Sequence, residues 1–335
     1  MRQRTLYFDT IRFLACFWVF TTHFIARFDS GLFRFWNTLP TSLLLKGMSG
    51  KLAVAVFAVL LGYFSARGGC REKSTLRYLA DRYLYFFASG LVVNSLYGIA
   101  GHLNLLETAP SLWQVLRSSL TIDSDIFPAF WCMREFLFGS LLCFLNGKYR
   151  VGLFGAVAES AILFLLGSPW TGLCLLGCLL WRISEQGLDQ ALERPALAGL
   201  LFLVSFCLIK RPESTVTYLL DGVFALITLL ILRRQRALQK LLDWHPLAGL
   251  LKNYMAIYLI HSLIYELFAP PIYALCRDLP HVLRFLTAYG GCFVLIVLAS
   301  FPVTWLVDRL RAALCTLAGH IRLEQLESAV DRWGS

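Results

Sequence analysis

An arginine and a histidine in the first apolar segment are the residues whose types and spacing best suit chemistry. Arg12 and His23 are eleven residues apart. On an α-helix they would lie about 20° apart around the axis and about 16 Å apart along it. One helix face therefore carries a cation near one end and an imidazole deep in the segment. This suits a donor whose anionic head binds at the arginine and which reacts at a distance, where an imidazole can serve as general base.

The composition indicates that a membrane surrounds these residues. Of 335 residues, 58% are hydrophobic and 16% are charged, and the mean hydropathy is +0.64. Soluble domains are about 45–50% apolar and about 25% charged. Since a spanning helix takes about 20 apolar residues, ten such helices would use about 200 positions. We therefore expect no large soluble domain, and the net charge of +10 predicts basic cytoplasmic loops rather than a surface for nucleic acid.

Apolar segments bounded by charge, Gly or Pro predict an all-α fold, a polytopic membrane helical bundle of about ten transmembrane helices. We expect spans near residues 6–27, 51–66, 78–100, 128–146, 151–167, 169–183, 196–210, 215–232, 250–268 and 284–308. An even number places both termini on one side. If that side is the cytoplasm, the inner segments hold more than twice as many Lys and Arg as the outer ones. The positive-inside rule therefore predicts cytoplasmic termini.

We expect one integral-membrane domain over residues 1–308. Residues 309–335 alternate apolar and charged side chains and predict a short cytoplasmic amphipathic tail, with a solvated, frayed end as the alternative. Most of the ten cysteines lie in apolar runs and no Cys-x-x-Cys occurs, so the sequence predicts neither a disulfide framework nor a metal site.

Several predicted spans contain ionisable residues, each of which costs at least about 2.5–3.5 kcal/mol on insertion scales. Besides the first segment, these include Arg134 and Glu135 in the fourth segment and His261 in the ninth, with Tyr258 one turn earlier. They predict a polar interior, which would serve either an intramembrane enzyme or a transporter. The alternatives are structural: Arg134 and Glu135 would pair with each other or between helices, and His261 would be held by a hydrogen bond.

Five stretches resemble motifs of the acyltransferase family 3 membrane proteins, in the family's order, with the fourth of them matching more loosely. These are Asp9-x-x-Arg12 followed by His23, Gly50–Tyr63, Arg82–Tyr85, Phe130–Glu135 and Tyr254–His261. The resemblance extends from about Tyr7 to about Ser300. The sequence departs from the family at Leu79, where an arginine commonly begins Arg-x-x-Arg, and at Tyr85, which replaces a proline.

The resemblance implies transfer of an acyl group, usually acetyl from acetyl-CoA, to a hydroxyl of a surface polysaccharide or its lipid-linked precursor. His23 is then the expected catalytic residue, either as general base or as carrier of the acyl group. Arg12 is expected to line the donor channel or orient the thioester, although it could instead simply pair with Asp9. Tyr258 and His261 are expected to belong to the same polar interior.

The donor's phosphates are expected at the densest basic stretch near a helix entrance, because arginine forks bind phosphate. This stretch comprises Arg71, Lys73, Arg77 and Arg82 together with Arg67. A positive-inside loop would hold such residues without any ligand, which is the alternative.

The implied partners are membrane lipids, acyl-CoA as a donor substrate rather than a resident cofactor, and a glycan or glycolipid acceptor. A separate periplasmic or extracellular acyltransferase could instead collect the acyl group, and a succinyl or longer acyl donor is an alternative to acetyl. The expected location is a bacterial cytoplasmic (inner) membrane. From a different functional class, a multispan transporter or exporter of a glycan precursor fits the same polar interior.

Overall fold

A computed structural model describes residues 6–28, 50–70, 74–209, 214–243 and 245–319. Within these ranges the chain forms α-helices joined by turns and three short 3-10 helices, Pro128–Phe130, Gln190–Glu193 and His245–Leu247. The α-helices are α1 (Leu6–Phe28), α2 (Gly50–Gly69), α3 (Thr75–His102), α4 (Leu112–Thr121), α5 (Met133–Lys148), α6 (Leu153–Leu165), α7 (Pro169–Glu185), α8 (Pro195–Leu208), α9 (Thr215–Arg234), α10 (Arg236–Leu242), α11 (Ala248–Leu251), α12 (Tyr254–Leu275) and α13 (His281–Gly319).

The all-α class is confirmed, and each of the ten predicted spans contains a helix. Six of these helices, α1, α2, α3, α9, α12 and α13, are long and apolar enough to cross a membrane. The helices α6 and α8 are apolar but shorter. The number of ten spans and the cytoplasmic termini stay predictions.

Local chemistry explains where some helix ends differ from the predicted bounds. Helix α6 follows Gly152 and ends before Gly167, whose φ of 77° is readily adopted by glycine. Helix α13 continues through residue 308, where the membrane domain was predicted to end, and reaches Gly319. The rest of the predicted tail lies outside the described residues.

Helix α2 lies at the centre of the bundle and packs against α1, α5, α7 and α9. At its contact with α7, backbone atoms of the two helices touch directly. A Cβ atom at Gly62 would overlap the carbonyl oxygen of Cys174, and one at Gly177 would overlap that of Val59. Small residues allow this approach, which is how helices associate where no water drives them together.

A second group of helices is held by aromatic side chains. Helix α12 packs against α1 and α13, and α13 packs against α3. Between α1 and α13, the ring of Phe20 stacks on that of Tyr289 at 5.0 Å, and Phe17 meets Phe293 edge-on at 5.0 Å. The chain thus forms a glycine-packed group around α2 and an aromatic-packed group around α1, α12 and α13.

The glycine contact between α2 and α7 predicts a specific loss of stability. We expect Gly62→Ala to destabilise the protein by about 1–3 kcal/mol, because the added methyl group forces the two backbones apart. Thermal unfolding of the purified protein in detergent measures this. Gly68→Ala on the same helix is the matched control, since a Cβ there meets nothing within 4 Å. Equal midpoints for the two variants would contradict the packing described.

Candidate active site

A cavity of about 360 Å³ lies between the two helix groups and is lined by residues of α1, α2, α3, α5, α12 and α13. Its charged lining residues are Arg12, Asp81, Arg82 and Arg311. Its apolar side is formed by Phe57, Leu61, Phe64, Phe86, Met133 and Phe136. The cavity therefore combines cationic groups with an apolar wall, as a site for an amphipathic anion would.

Arg12 lies in this cavity and is held on several sides. Its Nη1 atom is 3.1 Å from Oδ1 of Asp9, and only 15% of its side chain is exposed. The guanidinium also lies 4.6 Å from the ring centre of Phe64 and 5.2 Å from that of Tyr254. Arg12 therefore both pairs with the buried Asp9 and lines the cavity, so the two alternatives for this residue do not exclude each other. Aromatic faces stabilise a partly desolvated cation, so the guanidinium stays in place in an apolar setting.

Arg82 also lies in the cavity, and Tyr78 one turn earlier supports it. The Nε atom of Arg82 donates a hydrogen bond of 3.2 Å to the hydroxyl of Tyr78. That hydroxyl donates to Oγ of Ser65 on α2 at 2.7 Å, and the Tyr78 ring stacks on Phe144 of α5 at 4.1 Å. Tyr78 therefore fixes Arg82 against two neighbouring helices. The sequence interpretation missed it, although a tyrosine four residues before an arginine on a helix is a detectable signal.

Asp81 and Arg311 are two more cavity residues that the interpretation of the sequence did not include among site residues. Nη2 of Arg311 lies 3.3 Å from Oδ2 of Asp81, which joins the last turns of α13 to α3. The guanidinium of Arg311 is 5.6 Å from the ring centre of Tyr85.

The two histidines of the predicted site lie side by side. The rings of His23 on α1 and His261 on α12 meet edge-to-face, with centroids 5.2 Å apart. His23 is exposed, whereas His261 is 1% exposed. One imidazole of the pair therefore lies at the protein surface and the other is enclosed by protein.

The hydrogen bonds of His261 indicate which of its ring nitrogens carries a proton. Its Nδ1 atom lies 2.5 Å from the carbonyl oxygen of Tyr258, and its Nε2 atom lies 3.2 Å from Oγ of Ser262. Because a carbonyl oxygen can only accept, Nδ1 carries a proton and donates it. Nε2 then accepts from the serine hydroxyl in the neutral ring. The hydrogen bonds that hold this histidine lie within its own helix rather than between helices.

Tyr258 connects the cavity with the histidine pair. Its side chain lines the cavity, its hydroxyl lies 3.5 Å from Sγ of Cys132, and its carbonyl binds His261. Neither His23 nor His261 is among the described residues that line the cavity. The rise from Tyr258 to His261 along the helix is about 4.5 Å. The cationic cavity thus ends within about one helical turn of the histidine pair.

Other predicted site residues lie elsewhere. Arg77 is exposed in the first turn of α3, which Ser74 caps, and it is not among the residues that line the cavity. Five residues separate it from Arg82 and turn the helix by about 140°, so the two side chains leave α3 in different directions. Arg134 is exposed on α5 rather than in the interior. Its neighbour Glu135 accepts a hydrogen bond of 3.1 Å from the backbone N–H of Thr171 on α7. Arg71 and Lys73 lie outside the described residues.

Comparisons with known proteins agree with the motifs. Neither the curated proteins nor the solved structures give a match. The model of acyltransferase family 3, described as an acyltransferase domain, matches residues 5–305, which include Arg12, His23, Arg82 and His261. Since the match covers most of the chain and the described helices include six candidate membrane spans, this chain belongs to acyltransferase family 3 and is a membrane acyltransferase.

Proposed function

We propose that the chain moves an acyl group, most simply acetyl, from cytoplasmic acyl-CoA to a hydroxyl of a surface polysaccharide or its lipid-linked precursor. The observation that carries this proposal is the arginine-lined cavity that meets, at Tyr258, the helix turn holding the His261–His23 pair. This arrangement gives an anionic donor and a proton acceptor adjacent sites in one bundle.

The cavity supports acyl-CoA as the donor. Arg12 and Arg82 offer guanidinium forks, which match the oxygens of a phosphate group. The apolar wall of Phe57, Leu61 and Phe136 suits the uncharged arm that ends in the thioester. A volume of about 360 Å³ lies within the range of small-molecule pockets, so the cavity can hold part of such a donor.

His23 is the proposed general base of the transfer. Its imidazole removes the proton from the acceptor hydroxyl as that oxygen attacks the thioester carbonyl. The new C–O bond forms, the C–S bond breaks, and the imidazolium returns the proton to the departing CoA thiolate. The products are an ester and free CoA, and the histidine ends as it began.

His261 is proposed as a positioning residue in this step. It is enclosed and fixed by two hydrogen bonds, and its ring contacts that of His23 edge-to-face. A fixed ring limits the orientations open to its neighbour. The exposed imidazole of His23 then faces the acceptor in a restricted geometry.

Removal of the proposed base should abolish most of the transfer. We expect His23→Ala to lower the rate of CoA release with a glycan acceptor by about 10²–10⁴-fold, the usual contribution of a general base. The purified protein in lipid, acetyl-CoA and a thiol reagent measure this. The side chain is exposed, so the variant should fold.

The matched control is His102→Ala, which removes another exposed histidine at the end of α3. Wild-type rates in His23→Ala would contradict the assignment of the base. Movement of a labelled glycan across vesicles without release of CoA would instead favour the transporter alternative.

The donor site predicts different effects for two arginines of α3. We expect Arg82→Gln to raise KM for acetyl-CoA about tenfold, because a charge-assisted hydrogen bond is lost from the cavity. Arg77→Gln should have a smaller effect, since its side chain is exposed outside the cavity lining. Steady-state kinetics at saturating acceptor measure both constants. Equal effects would mean that general positive charge, not the cavity, binds the donor.

The acceptor class predicts a change at the cell surface. Glycans from cells that carry the chain should be heavier by one acyl group per modified unit than glycans from cells that lack it. Mass spectrometry before and after mild alkaline treatment, which cleaves esters, measures this. Identical glycan masses in the two cell types would contradict the proposed acceptor.

A further inference from the structure

The last helix of the described residues is longer than a membrane crossing requires. Helix α13 has 39 residues and so extends about 58 Å, whereas the hydrocarbon core of a bilayer is about 30 Å thick. The family match ends at residue 305. Arg311 lies in the turns beyond the matched residues.

These extra turns contribute a charge to the cavity. Arg311 lines it together with Arg12 and Arg82, so that residues from three helices bring their guanidinium groups to one space. The side chain of Arg311 is 37% exposed and that of its partner Asp81 is 48% exposed. This ion pair therefore lies at an open part of the cavity, accessible to a ligand from solvent.

The charges in the cavity do not balance. Among its described lining residues there are three arginines and one aspartate, Asp81. Asp9 pairs with Arg12 beside the cavity, so these five groups leave an excess of one positive charge. An ion pair as exposed as that of Arg311 and Asp81 contributes little to stability, because water and salt screen it. A phosphate group carries more charge than a carboxylate and binds the arginine fork in a bidentate manner. Phosphate can therefore replace Asp81 as the partner of Arg311.

We propose that Arg311 is a further donor-binding residue, which exchanges Asp81 for a phosphate group of CoA when the donor enters the cavity. This inference rests on the proposed function, since it takes the cavity as the donor site. Asp81 then orients Arg311 until the donor binds and competes with the phosphate for it.

A purely structural role for the ion pair makes a different prediction. Sγ of Cys315 lies 3.8 Å from Oδ1 of Asp81, so Asp81 also contacts the next turn of α13. If the ion pair served only to hold α13 against α3, removing Arg311 or Asp81 would change the affinity for CoA in the same direction. If Arg311 binds phosphate, the two removals have opposite consequences for the donor.

The test is calorimetric titration of CoA and of pantetheine, which lacks the phosphates, into the purified full-length protein. We expect Arg311→Gln to weaken CoA binding about tenfold, as loss of a charge-assisted hydrogen bond does, and to leave pantetheine binding unchanged. Asp81→Asn should bind CoA at least as tightly as wild type. The matched control is Arg309→Gln, which removes an exposed charge from the same helix outside the cavity lining and should bind CoA as wild type does.

Three results would overturn the inference alone while wild type binds CoA. These are an unchanged affinity in Arg311→Gln, an equal loss in Arg309→Gln, or an equal loss in Asp81→Asn. Wild-type protein that binds no CoA would instead contradict the donor assignment in the proposed function, and the inference with it. Loss of pantetheine binding together with CoA binding in Arg311→Gln would indicate a damaged cavity and overturn the phosphate contact.

Discussion

A charge within an apolar bundle must be held by other groups, and this requirement shapes the whole site. Ionised side chains cost several kcal/mol in such surroundings unless a partner compensates. Arg12 meets the requirement with Asp9 and two aromatic rings, and Arg82 meets it with Tyr78. Because those partners come from α1, α2, α3 and α12, the helices must pack in one arrangement around the cavity. The cavity and the fold are therefore stabilised by the same contacts.

Features that depend on residues close together in the chain could be predicted from the sequence. Apolar runs gave the positions of the helices because burial in lipid demands length and low polarity. The eleven-residue spacing of Arg12 and His23 gave one helix face because helical geometry is regular, and the motifs around them gave the family. What the patterns could not supply was the number of helices that truly span, since α5 and α7 combine apolar and polar residues over fewer than 18 positions.

Contacts between distant segments were beyond prediction. Arg77 belongs to the same basic stretch as Arg82, yet only Arg82 lies in the cavity, because five residues turn the helix by about 140°. Arg134 was expected in the interior, but α5 directs that position outward and buries Phe136 instead. Arg311 lies 230 positions from Asp81 in the chain, so no local pattern could join them. Charge sets which residues need partners, and packing decides which partners they find.

The two helix groups that border the cavity are packed by different kinds of contact. On one side α2 touches α7 through backbone atoms at Gly62 and Gly177, so these helices cannot slide without losing direct contact. On the other side the rings of Phe20, Tyr289 and Phe293 lie between α1 and α13, so these two helices meet through side chains. A change in the spacing of the helices around the cavity would therefore require repacking of rings on the aromatic side, whereas on the glycine side it would separate backbones that are in direct contact. The contact between α2 and α7 would therefore keep its spacing during such a change.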